Sequence, residues 1–233
     1  MQNGGKQLTQ RIFSHFHFLR FSSNYWNSSL SEKQDLQKRL LSSLDEKLSR
    51  YELYQSFPLR SDVDIILWST IQIEDEKSIA EYFKLIATLL NPFRKFLDTK
   101  ESWWGLTRPS DYARGKSSQE IDPFEDERNT YLIVYPFSKT AEWYKMSRDA
   151  RQGMMNEHIR IGHQFPQIKQ LLLYSTGLQD QEFIVTYETE DLAEFSKLVM
   201  DLRSSEARLF TERDTPIFTA VHHSPQDTLN LFI

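Results

Sequence analysis

The sequence predicts an α+β fold of two tandem β-α-β-β-α-β halves, packed sheet to sheet within one chain. Three observations lead there. Apolar runs of strand length punctuate the chain, amphipathic 3.6-residue periodicities lie between them, and the order strand–helix–strand–strand–helix–strand occurs twice. The third strand and second helix of the first half recur about 115–120 residues later, as a repeat of pattern rather than of residues. One such unit is the ferredoxin-like arrangement, a four-stranded antiparallel sheet with both helices on one face. Two units leave two bare sheet faces that bury each other, giving a dimeric α+β barrel within a single chain.

Residues 12–21 (IFSHFHFLRF) alternate, with aromatics on both faces, and read as a strand. Ser31, with Gln34 three residues on, predicts a capping box for a helix over 31–50 whose apolar stripe is Leu36, Leu40, Leu41, Leu44 and Leu48. Residues 51–57 form a short strand and 64–72 (DIILWSTIQ) a stronger one. A second helix carries Tyr82, Phe83, Ile86, Leu89 and Leu90, and stops near Pro92. Trp103-Trp104-Gly105-Leu106 marks a fourth strand, after which Pro109, Gly115 and the DPFEDER segment turn the chain polar. The predicted organisation is an N-terminal half over 1–110, a connecting loop over 111–130 and a C-terminal half over 131–233. The pattern restarts with a strand at 131–137 (YLIVYPF) and one long helix over 141–165. A strand at 169–174, a turn at Thr176-Gly177-Leu178 and a strand at 182–188 (EFIVTYE) follow. A helix with Leu192, Phe195, Leu198, Val199 and Leu202 and a strand at 216–221 (PIFTAV) complete the half.

Composition narrows the chemistry. The 233 residues carry 28 Lys plus Arg against 33 Asp plus Glu, a net charge of −5 that gives no general attraction to nucleic acid or anionic membranes. Aromatics make up 13% of the chain and suit wide sheet faces that need large side chains. The absence of cysteine excludes disulfides, thiolate catalysis, iron–sulfur clusters and Cys-ligated zinc. No apolar run reaches the roughly 18 residues that cross a bilayer. The first residues, MQNGGKQLTQRIFSHFHF, hold no continuous apolar segment of the secretory kind, so a cytoplasmic protein is expected. Any metal or redox site must therefore use the six His, the carboxylates and the aromatics.

His15 and His17 share one face of the first strand with no third ligand nearby, and His222-His223 reads as a solvated tail. Met154, His158, Ile161 and Phe165 fall at i, i+4, i+7 and i+11, so His158 lies in the apolar stripe of its helix. It is either a core histidine bonded to a backbone carbonyl or a neutral imidazole offered to a metal or haem iron. His163 lies about 140° further round and faces solvent. Tyr135 ends a strand, which would let its phenol enter the space between the sheets. Lys139 either pairs with an anionic group or is solvated, and Trp143 follows it. A Tyr, a Trp and a His beside one apolar cavity fit redox chemistry or a plain aromatic core.

Five segments resemble, in order and spacing, the chlorite dismutase-like superfamily of haem proteins, its coproheme decarboxylase branch above all. They are YPFSKTAEWY at 135–144, MMNEHIRIG at 154–162, YSTGLQDQEF at 174–183, YETEDLAEF at 187–195 and RDTPIFT at 213–219. The N-terminal half is similar only in its order of elements. The resemblance implies two ferredoxin-like halves per chain and assembly as a homopentamer. It implies that haem or coproheme is held by His158 as the proximal iron ligand, and that Tyr135 is the tyrosine oxidised to a radical. It further implies Lys139 contacting a propionate, Trp143 lining the porphyrin site, and Arg128 or Arg114 meeting another propionate. Glu206 is implied as the carboxylate partner of the imidazole. Counting back from Ser175-Thr176-Gly177-Leu178 places Gln170 at the distal position, where chlorite dismutases carry an arginine and several decarboxylases a glutamine. Another branch uses a distal histidine from the loop between the halves, and this chain has no His between residues 18 and 157. The implied function is hydrogen peroxide-dependent oxidative decarboxylation of coproheme propionates to give haem b. The alternatives are a chlorite-decomposing or peroxidase-like haem enzyme and a non-catalytic haem carrier or sensor.

Overall fold

The computed structural model describes residues 11–112 and 117–233. The first half runs β1 (Ile12–Phe21), α1 (Ser23–Trp26), α2 (Leu30–Lys47), β2 (Tyr51–Gln55), β3 (Ile65–Gln72), α3 (Ser78–Leu90) and β4 (Leu97–Leu106). The second runs β5 (Tyr131–Lys139), α4 (Ala141–Lys145), α5 (Arg148–Gly162), β6 (Lys169–Tyr174), β7 (Phe183–Thr189), α6 (Leu192–Arg203), β8 (Thr211–Arg213), β9 (Phe218–His222) and α7 (Pro225–Asn230). Both halves thus follow the predicted order, and the fold is the predicted α+β barrel. Among the described residues no helix is long and apolar enough to cross a membrane.

Two local expectations change. The capping box of α2 is Ser29 with Glu32, not Ser31 with Gln34. The Glu32 carboxylate accepts from the Ser29 N–H at 2.8 Å, and an anion there complements the positive helix start better than an amide. The long helix expected over 141–165 is two helices, α4 and α5, broken at Met146 and Ser147. Ser147 accepts from the Ala150 N–H, and a serine hydroxyl serves a helix start better than a helix interior.

Eight strands close in the order β7-β6-β4-β1-β3-β2-β9-β5, with β5 returning to β7, and β8 adds beside the end of β5. The halves join along two short seams. One pairs Leu106 with Tyr174; the other pairs Tyr54 with His222 and Gln55 with Val221. At the first seam a Cβ on Gly105 would come within 2.9 Å of both the Leu173 Cβ and the Tyr174 carbonyl oxygen, so glycine allows the approach. At the second, His222 Nε2 lies 3.0 Å from Glu52 Oε2 and His223 Nε2 lies 2.9 Å from Gln55 Oε1. The expected solvated tail is instead a tie between the halves. The sequence pattern had no partner strand to offer these two side chains; the closed barrel brings β2 alongside.

Strand alternation then sorts the side chains. Phe16, Phe18, Trp68, Trp103, Val134 and Phe218 point into the barrel with other apolar residues and fill it. The outer faces are covered by helices, and here the halves diverge. In the first half Phe13, Phe83, Tyr82 and Trp104 pack ring on ring around His15 and His17, whose own rings stand 3.7 Å apart. In the second half Ile133, Ile161, Phe165, Tyr187 and Leu198 pack together at one side, and the rest of the helix-facing sheet borders an open cleft.

Candidate functional site

The register of three strands builds the floor of this cleft. Tyr135 lies opposite Val185, which lies opposite Leu172; Phe137 lies opposite Phe183, which lies opposite Tyr174. Gln170 and Tyr187 form the next row. These residues share one parity, while Leu132, Val134, Leu171, Leu173 and Ile184 of the other parity fill the barrel. Tyr135 therefore faces the helices and not the space between the sheets. The sequence placed Tyr135 at the end of its strand, but β5 runs on through Pro136 to Lys139 and Tyr135 lies at its middle, and parity alone does not say which face the helices cover. From above, α5 contributes His158 and α6 contributes Val199, Leu202 and Arg203. The cleft holds about 1250 Å³, more than the roughly 300–1,000 Å³ typical of pockets for drug-sized ligands, and so has room for a large flat ligand.

His158 is half-buried on this roof. Burial pushes its pKa down to about 4, the Lys139 charge adds to the effect and Glu157 opposes it. At neutral pH the imidazole is uncharged and its lone pair is free. Among the described residues nothing hydrogen-bonds the ring, so it is not a core histidine satisfied by a carbonyl. Ile161 and Phe165 from the same predicted stripe are buried beside it. Glu206 does not serve as its partner: the side chain is exposed, and its N–H donates to Glu157 Oε2 at 3.2 Å. An extended Ser205 places Glu206 at the start of a short turn after α6.

Lys139 closes one end. Its ammonium donates to the Ala207 carbonyl at 3.0 Å and stands 4.2 Å over the Trp143 ring, which is buried beneath it. Burial and the charge of Arg208 push the lysine pKa down to about 8, with Glu182 opposing. Of the further cations that line the cleft, Arg151 of α5, Arg203 of α6 and Arg208 of the turn after α6 were not singled out in the sequence. Arg203 and Arg208 share Asp214, at 3.8 Å and 2.7 Å. Arg151 has a buried Nε without a hydrogen-bond partner. Nothing in their sequence neighbourhood distinguishes these arginines from solvated helix residues; only the packing of α5 and α6 over the sheet brings them together.

Arg128 lies elsewhere. Its side chain and that of Glu188 are each 1% exposed and pair at 3.2 Å, and it donates to the carbonyls of Asp122, at 2.7 Å, and Glu125. It belongs to the barrel end, beneath Trp68, where a buried carboxylate claims it. Arg128 is therefore not among the residues that line the cleft, and the expected propionate contact does not form. Arg114, the other arginine considered for that contact, lies outside the described residues. Gln170 remains on the cleft side of β6, exposed, with its backbone bonded to Gln119 and Ile121. Tyr187 was missed as well. Its ring stacks with that of Tyr135 at 6.2 Å and 26°, and both line the cleft.

A family model described as Chlorite dismutase matches residues 30–223. The chain belongs to the chlorite dismutase family. That makes it one of a family of haem enzymes. A coproheme decarboxylase of Staphylococcus carnosus is 29% identical over 223 residues, covering 87% of this chain and 84% of that protein. One from Mycolicibacterium smegmatis is 28% identical over 178 residues, covering 76% and 74%. Among solved structures, chlorite dismutase of Candidatus Nitrospira defluvii in complex with imidazole superposes with a TM-score of 0.84 at 19% identity, over 95% of this chain and 94% of that one. A doubly substituted mutant of the same protein gives 0.84 at 20% identity, over 95% of each. At such identity these two establish the fold.

Proposed function

We propose that this family member carries out peroxide-dependent oxidative decarboxylation of coproheme, converting two propionates to vinyl groups to give haem b. The observation that carries the reading is a single cleft in which Tyr135 on the floor, His158 on the roof and Lys139 at one end face the same space. The two relatives named coproheme decarboxylase support it.

The residues present fit an iron porphyrin bearing carboxylates. His158 offers a neutral imidazole that competes with no proton at pH 7 and with no protein hydrogen bond. The apolar floor of Phe137, Leu172 and Val185 suits a macrocycle, and Lys139, Arg151, Arg203 and Arg208 suit its carboxylates. When bound, the iron porphyrin supplies, with hydrogen peroxide, the oxidising equivalents.

Tyr135 passes those equivalents to the propionate. It gives up its phenolic hydrogen, then takes a hydrogen atom from the propionate β-carbon. Loss of a second electron and of carbon dioxide leaves the vinyl group. One hydrogen peroxide, reduced to water, balances each propionate. Lys139 anchors a carboxylate while its charge persists, and Gln170 can hydrogen-bond peroxide without exchanging a proton. A glutamine in place of a cation at that position also disfavours chlorite as substrate.

The test is a parallel assay of purified protein with ferric coproheme. Carbon dioxide release on adding hydrogen peroxide, with no oxygen from chlorite, is the expected result. Oxygen evolution from chlorite would favour a chlorite-decomposing enzyme. Tight binding without peroxide turnover would favour a carrier or sensor.

A further inference from the structure

Tyr187 has a setting unlike that of any other tyrosine in the cleft. It is 5% exposed and stacks with Tyr135 across a diagonal of β5 and β7, the ring centroids 6.2 Å apart and the planes 26° from parallel. Its only other ring contact among the described residues is Phe195, at 5.1 Å. Phenylalanine does not accept an oxidising equivalent from a phenol, so a hole that reaches Tyr187 has no aromatic path onward into the helix layer. Tyr135 by contrast is only half-buried and borders the cleft.

We infer that Tyr187 is a second redox residue of this site, giving a hydrogen atom to oxidised Tyr135 and so storing the oxidising equivalent on a ring only 5% exposed. The inference rests on the decarboxylase reading, in which a peroxide oxidises Tyr135 through bound coproheme. The step balances simply. The O–H bond of Tyr187 breaks and that of Tyr135 re-forms, moving one proton and one electron between two phenols. The stacked rings, 6.2 Å apart on neighbouring strands, hold the two phenols side by side for the exchange. Two phenols of like chemistry make the exchange close to thermoneutral, so it runs back when a propionate sits beside Tyr135. Tyr187 thus acts through Tyr135 and is a positioning and storage residue.

The experiment is freeze-quench electron paramagnetic resonance of the coproheme-loaded full chain mixed with hydrogen peroxide. Wild type, Tyr187→Phe and Tyr135→Phe are compared, with ring-deuterated tyrosine to identify the signal. Phenylalanine at 187 keeps the ring stack, and thermal melting checks that each variant is folded. The wild type is expected to show two overlapping tyrosyl components. Tyr187→Phe should retain one of them and decay faster, and Tyr135→Phe should lose both, since Tyr187 is filled only through Tyr135. A Tyr187→Phe spectrum and lifetime superimposable on wild type would overturn the inference, even if haem b still forms. Two components that answer to both substitutions without any haem b would support the tyrosine pair and overturn the decarboxylase reading instead. No tyrosyl signal in wild type that converts coproheme would overturn the pair alone.

Discussion

If His158 ligates iron as proposed, a proton and a ferric iron would compete for the same imidazole, so the pH dependence of porphyrin binding would report how the cleft holds that ring. Burial and the neighbouring Lys139 charge put its pKa at about 4. At about pH 5.5 some 3% of His158 would then be protonated, and binding would be weakened by only a few per cent. An imidazole at the ordinary value of about 6.5 would be roughly 90% protonated there, and binding would fall about tenfold, or ~1.4 kcal/mol. Ferric coproheme titrated into apoprotein at about pH 7.5 and about pH 5.5, followed by the Soret band, separates these cases. Nuclear magnetic resonance of the ring protons gives the titration directly, with His158→Ala for assignment; that variant should also lose the Soret shift. Lys139→Met removes one cause of the depression, so it should move the His158 midpoint upward. A wild-type midpoint near 6.5, or a tenfold loss of binding at about pH 5.5, would refute the account of a neutral ligand kept ready by burial.

Other consequences follow from the same charges. Coproheme affinity should weaken as pH rises past about 8, where Lys139 loses its proton, and Lys139→Met should bind more weakly with no inflection there; an inflection near the ordinary lysine value would contradict this. Arg128→Met strands the Glu188 carboxylate in the barrel and should cost on the order of 3–5 kcal/mol in denaturant unfolding, with coproheme affinity held within about twofold. Selective loss of affinity at unchanged stability would return Arg128 to the binding site. His17 is buried with its pKa lowered to about 4, and His15 is lowered too, by burial and by His17. The unfolded chain therefore takes up protons below about pH 6.5 while the folded one does not. Stability should be full above that value and fall between about pH 6.5 and 4, by about 3 kcal/mol from His17 alone. His17→Phe should flatten that slope in thermal melts, and an unchanged slope would sink the explanation.

Periodicity made the barrel readable because each half has to bury a sheet face, and IFSHFHFLRF, DIILWSTIQ and YLIVYPF alternate or run apolar as that requires. The closure of β2 on β9 was less visible. His222 and His223 looked like a solvated end because their partners, Glu52 and Gln55, stand far back in the chain. The motif segments placed His158, Tyr135, Lys139 and Trp143 in one cleft, although Tyr135 enters from the opposite face to the one expected. The resemblance implies a propionate contact from Arg128, whereas burial of Glu188 on β7 claims that side chain. Conversely, Arg151, Arg203 and Arg208 carry no local signal, and Tyr187, although it opens the segment YETEDLAEF, meets Tyr135 only through the pairing of β5 with β7. Their relevance comes from helix packing and from strand register, which a one-dimensional pattern does not contain.

The most direct test of the central claim is mass spectrometry of the porphyrin after coproheme and hydrogen peroxide meet wild type and Tyr135→Phe side by side. Wild type should yield haem b by way of the singly decarboxylated species, while Tyr135→Phe binds coproheme, with the same Soret shift, and returns it unchanged. Haem b formed equally well by Tyr135→Phe would contradict the account.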